Sequence, residues 1–156
     1  YELGQVDRIP AKKKKKQSPT FTTNIFLIRY QDEILLERRP PKAIWGGLYS
    51  LIETPWQPID QKLNRSKPID ITGLLHQTIL STKLSKGNIG SITSIEEGHV
   101  IEHIFSHRRL RMQPWIIHLK RKWPHSSAAL DWICTRRLKE YGLPQPIRVF
   151  LESSSR

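Results

Sequence analysis

Cysteine is nearly missing from this sequence: Cys134 is the one thiol in 156 residues. A single thiol excludes an internal disulfide framework and any cysteine-held metal cluster within the chain, and it suits a reducing compartment. No uninterrupted apolar run approaches the length needed to cross a bilayer as a helix. The opening residues Tyr1-Glu2-Leu3-Gly4 carry neither an initiator methionine nor a signal-peptide apolar stretch, so the sequence reads as a piece of a longer protein. Acidic residues are also scarce. The 14 Asp and Glu face 26 Lys and Arg, leaving a formal net charge of +12. Residues 1–20 contribute +4 of this and the remainder +8, so the basicity is not confined to one end. That balance predicts a polyanionic partner. DNA or RNA stands ahead of an anionic membrane surface, because no basic amphipathic helix of the lipid-binding kind is visible.

What is present reads as one domain with tails. Residues 1–20 form a basic linker, with Lys12, Lys13, Lys14, Lys15 and Lys16 as an unbroken cationic run between Pro10 and Pro19. The folded part spans 21–152, and 153–156 reads as a frayed tail. A β-branched and aromatic run over 21–30 predicts a strand, Gln31-Asp32 a turn, and residues 33–39 a second strand stopped by Pro40-Pro41. Paired Gly46-Gly47 inside an apolar run suggest a bulge or a close backbone approach before a short strand ending near Glu53. Ile71, Leu74, Leu75, Ile79 and Leu84 fall near helical spacing, which predicts a helix over 70–84, followed by a loop over 86–91. Two long strands are expected near 92–105 and 110–120, then a short strand at 131–134 and a helical turn over 135–139. A last helix opens at Pro144-Gln145-Pro146, since proline is tolerated in a first turn. No internal repeat is visible. The order of strands, helix, hairpin and helix predicts an α+β domain with a mixed sheet.

The tip between the two long strands carries the chemistry. Phe105-Ser106-His107 places a ring, a hydroxyl and an imidazole together, and Arg108, Arg109 and Arg111 follow at once. Such a set suits the reading of a base beside a phosphate backbone. Each residue also has a plainer role: Phe105 as the last core residue of its strand, Ser106 bonding its own turn, His107 as a polar loop residue and the arginines as a solvated face.

Four landmarks carry a resemblance. They are Leu35-Leu36-Glu37-Arg38-Arg39-Pro40, Trp45-Gly46-Gly47-Leu48-Tyr49, Phe105-Ser106-His107 and Tyr141-Gly142-Leu143-Pro144-Gln145-Pro146. In this order they resemble the Nudix-like C-terminal domain of MutY-type adenine DNA glycosylases, over nearly the whole chain. The first two occur throughout Nudix-like folds; the other two are more specific. Leu51-Ile52 depart from the Phe-Pro frequent in that family. The resemblance implies a Nudix-like mixed sheet flanked by helices, in a DNA-repair module that recognises 8-oxoguanine opposite adenine through Phe105, Ser106 and His107. It implies double-stranded DNA with 8-oxoG:A mispairs as partner, and Arg108, Arg109, Arg111 and the Lys12–Lys16 run on the backbone. It also implies base excision by an N-terminal catalytic domain of the same chain, and a bacterial, cytoplasmic, nucleoid-associated setting. The family's 4Fe-4S cluster belongs to that N-terminal domain; one cysteine cannot hold it, so no cofactor is expected in this fragment.

Nudix hydrolysis itself is not expected. It needs Arg-Glu-x-x-Glu-Glu-x-Gly carboxylates around Mg²⁺. Read from Gly47, Glu53 takes the motif's first Glu, but Gln61, Lys62, Arg65 and Ser66 fill the Arg and carboxylate positions, and Glu96-Glu97 runs directly into Gly98. The alternative to lesion recognition is a non-catalytic Nudix-like module that binds nucleic acid or protein.

Overall fold

The structure is a computed structural model that describes residues 19–59, 70–81 and 86–154. Its framework is one mixed sheet with helices on both faces. Strand β1 (Thr20–Tyr30) and β2 (Glu33–Arg38) are joined by the predicted two-residue turn, where Gln31 takes a left-handed backbone (φ 53°). Short strands follow: β3 (Tyr49–Ser50), β4 (Ile52–Glu53) and β5 (Gln57–Pro58). After helix α1 (Ile71–Ser81) come β6 (Ile92–Glu97), β7 (Ile101–Ile104), β8 (Arg109–Leu119) and β9 (Leu130–Cys134). Helix α2 (Gln145–Ser154) closes the described part.

Strand β1 lies at the centre because Ile25–Ile28 are apolar without alternation, the mark of a strand covered on both faces. It pairs parallel with β8 over ten positions, from Thr20 with Arg109 to Arg29 with His118, whereas every other pairing among the described strands is antiparallel. Alternation along the strands then divides the core. Ile25, Leu27, Ile34, Leu36, Leu110 and Met112 meet Ile147 and Leu151 of α2 on one face. Phe26, Ile28, Leu35, Ile117 and Trp123 meet Leu75 of α1 on the other. The Asp70 side chain accepts the Gly73 N–H at 3.0 Å and so caps the start of α1.

Several expected boundaries shift. The strand expected over 92–105 is two strands, parted at Gly98, whose N–H donates to the Pro114 carbonyl at 3.0 Å where β6 gives way to β7 along β8. The expected loop over 86–91 is a 3₁₀ turn, and β5 was not foreseen. Ser153 and Ser154, expected in a frayed tail, continue α2; their hydroxyls bond back to the Phe150 and Leu151 carbonyls. Thr20 belongs to β1 rather than to the linker.

The paired glycines act as expected. A Cβ on Gly46 would lie 2.1 Å from the Pro41 carbonyl oxygen, and Gly47 has φ 79°. Trp45 just before them also has a left-handed backbone, φ 60°, uncommon for a bulky residue. This tight segment brings two landmarks together: the Tyr49 N–H donates to the Gly142 carbonyl at 2.8 Å, and the Tyr49 and Tyr141 rings meet edge to face at 5.2 Å.

Candidate nucleic-acid interface

Strands β7 and β8 form a hairpin whose loop is Ser106-His107 alone. The Phe105 N–H donates to the Arg108 carbonyl at 2.7 Å, and the reverse bond is 3.4 Å. Neither loop residue has a positive φ. Two-residue hairpins close best with left-handed loop residues, and other turns splay the strands. The unequal pair of bonds fits that splay. Ser106 and His107 are both exposed, and among the described residues the Ser106 hydroxyl has no hydrogen-bond partner. The self-bonded turn serine considered for this position is therefore not what forms.

Phe105 turns the other way. Period-two alternation along β7 sends His103 and Phe105 to the α2 side, where Phe105 packs against Trp45 at 5.2 Å, His103 at 4.6 Å and Trp56 at 6.3 Å between ring centroids. Each contact lies in the range favoured by aromatic pairs. The ring is half-buried and anchors the hairpin from below. Of the two roles weighed for it, core residue and reading ring, the packing is that of a core residue at the end of its strand.

The cluster rests on an ion pair. The Arg39 guanidinium binds the Glu53 carboxylate through Nη1 and donates from Nε to the Ile44 carbonyl at 2.8 Å; the same carboxylate accepts from Trp56 Nε1 at 3.1 Å. Arg39 also lies 6.0 Å from the Trp56 ring. Nearby Glu37 is held above the usual carboxylate range, first by burial and then by the Glu53 charge, with Arg39 opposing. A raised carboxyl favours the folded state while protonated, and that contribution is lost as pH rises through the raised value. Glu37→Gln is therefore expected to raise the melting temperature at pH 7 and to leave it unchanged near pH 3, as thermal scans at the two pH values would show. An equal rise at both would contradict this origin.

The three hairpin arginines meet different surroundings. Arg108 lies over the Phe21 ring at 5.7 Å, a cation–π contact that leaves its charge exposed. Arg109 is exposed, and its N–H donates to the Pro19 carbonyl at 3.0 Å, so the chain enters the domain beside the hairpin. Arg111 sits across from Glu102 and pairs with it, Nε to Oε2 at 3.2 Å, so its charge has an internal partner. Lys12, Lys13, Lys14, Lys15 and Lys16 lie outside the described residues. So do Gln61, Lys62, Arg65 and Ser66.

The Mg²⁺ of Nudix chemistry does not fit this donor set. Glu53 is engaged by Arg39 and Trp56. Lys62 and Arg65 bring cations to positions that must bring carboxylates. Among the described residues no group of three or more His, Cys, Asp or Glu could hold a metal ion. A cavity of about 390 Å³ between β1 and α1 is lined by Thr22, Asn24, Thr54, Gln57 and Gln77, with Glu53 as its acid and no basic side chain among its described lining residues. No helix among the described residues is long and apolar enough to cross a membrane.

Sequence reasoning found the tip but missed its supports. Trp56 stands in a polar stretch with no periodicity to betray it. His103 and the outward-facing Ile104, by contrast, follow from strict alternation back from Phe105.

Comparison with known proteins supplies the family. The sequence pattern described as NUDIX domain matches residues 24–153. The fold is similar to the C-terminal domain of mouse MUTYH, solved in complex with human PCNA. There the TM-score is 0.62 at 11% identity, over 86% of this chain and 88% of that one. It is similar also to the NUDIX domain of Shewanella oneidensis NrtR complexed with ADP ribose (TM-score 0.57, 11% identity, 90% and 88% covered). A MutT NUDIX hydrolase from Burkholderia pseudomallei matches with a TM-score of 0.52 and 18% identity, over 85% and 96% of the two chains.

Proposed function

Since the chain belongs to the NUDIX domain family and its residues do not suit the Mg²⁺ of the hydrolases, we propose that it is a DNA-repair module that recognises 8-oxoguanine paired with adenine. The observation that carries this reading is the exposed, unpartnered Ser106 hydroxyl at the hairpin tip, flanked by the exposed Arg108 and Arg109. Oxidation turns guanine N7 from an acceptor into a donor beside a new carbonyl oxygen. A hydroxyl and a backbone N–H at one position meet both groups, since a serine oxygen accepts while the amide donates. Unmodified guanine offers a mismatched edge there, and a buried bond left unmade costs about 1–3 kcal/mol. His107 braces the loop beside it. Arg108 and Arg109 hold phosphates, and so does Arg111 in so far as Glu102 releases it. Lys12–Lys16 add attraction without sequence information.

The adenine itself is removed elsewhere, by an N-terminal catalytic domain of the same chain that carries the iron–sulfur cluster. Holding the lesion raises the effective concentration of the opposite base at that domain. Likeness to the mouse MUTYH domain supports this reading through the fold, and the Phe105-Ser106-His107 resemblance supports it through the tip.

The test is binding to duplexes carrying 8-oxoG:A, G:A and G:C at one salt concentration. Preference for the first is expected. Ser106→Ala is expected to reduce that preference by about tenfold while leaving affinity for G:C unchanged. Arg109→Ala is expected to weaken all three alike and to lower the salt slope by about one phosphate contact. Equal binding of wild type to all three would return the chain to the broader class of nucleic-acid-binding NUDIX modules.

A further inference from the structure

We infer that Ile104 is an apolar wedge, which the hairpin inserts into the base stack of duplex DNA next to the base that Ser106 reads. The inference deepens the lesion-reading proposal and rests on it. Ile104 is 66% exposed, more than Val149 at 53% or Val100 at 43%, the other large apolar side chains exposed among the described residues. Alternation makes it so: the cluster holds His103 and Phe105 on the α2 side, which sends Ile104 to the opposite face, one residue before the tip.

Its partner gives the exposure meaning. Phe105 and Arg108 exchange backbone hydrogen bonds, so Ile104 and Arg109 are the neighbouring pair that does not. Side chains of such pairs stand closest together in an antiparallel ladder. The pairing sets an exposed isoleucine across the ladder from an exposed arginine. Proteins that kink DNA combine these two elements, a cation on the phosphates and an aliphatic side chain between base steps. An apolar protein partner would not favour the exposed charges of Arg108 and Arg109 around that isoleucine, whereas a polyanion does. Rigidity completes the arrangement. A wedge works only if it does not recoil, and Phe105, locked among Trp45, Trp56 and His103, fixes the backbone immediately behind Ile104.

Ile104 also separates tasks that one ring cannot perform together. Phe105 anchors, Ser106 reads and Ile104 pries. Opening the step beside the lesion exposes the purine edge that the serine hydroxyl must reach.

The experiment uses duplexes with 2-aminopurine next to 8-oxoG, whose fluorescence rises when the neighbouring step unstacks. With wild type the rise is expected on binding to the 8-oxoG:A duplex. Ile104→Ala is expected to abolish it and to weaken binding by about tenfold, the scale of one buried isoleucine. Ile104→Lys is the sharper variant: it adds a cation, so affinity is held or raised, yet the fluorescence rise is lost. Ile104→Leu restores both. The residue is exposed, and far-ultraviolet circular dichroism is expected to match wild type for all three. If wild type prefers 8-oxoG:A but the rise persists in Ile104→Ala and Ile104→Lys, the wedge is overturned and lesion reading stands. If wild type shows no preference for the lesion, both fall.

Discussion

Arg39→Ala is expected to destabilise the domain by about 3 kcal/mol, because it strands Glu53, largely buried, without its counter-ion. The two side chains are only 13% and 12% exposed. Burial of an unpaired carboxylate costs far more than the net gain of the pair, so the loss measures the abandoned charge rather than the bridge. Replacing both partners by apolar residues, Arg39→Met with Glu53→Leu, is accordingly expected to recover most of the stability, as urea unfolding of the two variants would show. If the double variant proved less stable than Arg39→Ala, the pair would be contributing by its own attraction. The functional consequence separates the two as well. Trp56 loses its carboxylate acceptor in the double variant, and the aromatic support of Phe105 loosens. Lesion discrimination is then expected to fall although stability returns.

The second large effect lies on the opposite face. Trp123 is fully buried; its Nε1 donates to the Ser91 hydroxyl at 2.7 Å, and its carbonyl accepts from Trp132 Nε1 at 3.0 Å. Trp123→Ala is expected to cost about 3–5 kcal/mol, the range for removing a large aromatic from a packed interior. Trp123→Phe keeps most of the packing and loses the bond to Ser91, so a smaller loss is expected. Trp123 packs with Phe26, Ile28 and Ile117 on the α1 side of the sheet, away from the cluster beneath the hairpin. The denaturation midpoint is therefore expected to fall, while the duplex preference proposed for the domain is expected to persist in the folded fraction, measured at a temperature well below the transition. A selective loss of lesion preference would mean that the two faces of the sheet are coupled.

Neighbouring residues carry periodicity, but not the partners that folding brings together. Periodicity located β1, β2, the α1 stretch and the hairpin, because alternation and helical spacing are written in neighbouring residues. Exposure of Ser106 and the inward turn of Phe105 follow from the same rule. Partnership across the chain is not written locally. Nothing near Arg39 marks Glu53 as its counter-ion, and the polar Arg121-Lys122-Trp123-Pro124 context hides that Trp123 is more buried than Trp115 and Trp132, which sit in apolar strand runs yet are only partly buried. The left-handed backbone of Trp45 was equally invisible, since its surroundings rather than its side chain impose it. Strand 92–105 divides for a related reason: Gly98 bonds to Pro114, a residue sixteen positions away whose own ring removes a ladder donor.

The parallel union of β1 with β8 has a mechanical consequence. Both strands point the same way and are laced together from their first residues, with Arg109 bonded to Pro19 at the very margin. A pull applied at residue 19 along β1 strains all ten rungs in shear at once instead of peeling them singly. The strand that receives this load is the one that rises from the Ser106-His107 tip. Tension applied there is thus delivered to the hairpin along its own axis, without passing through any turn.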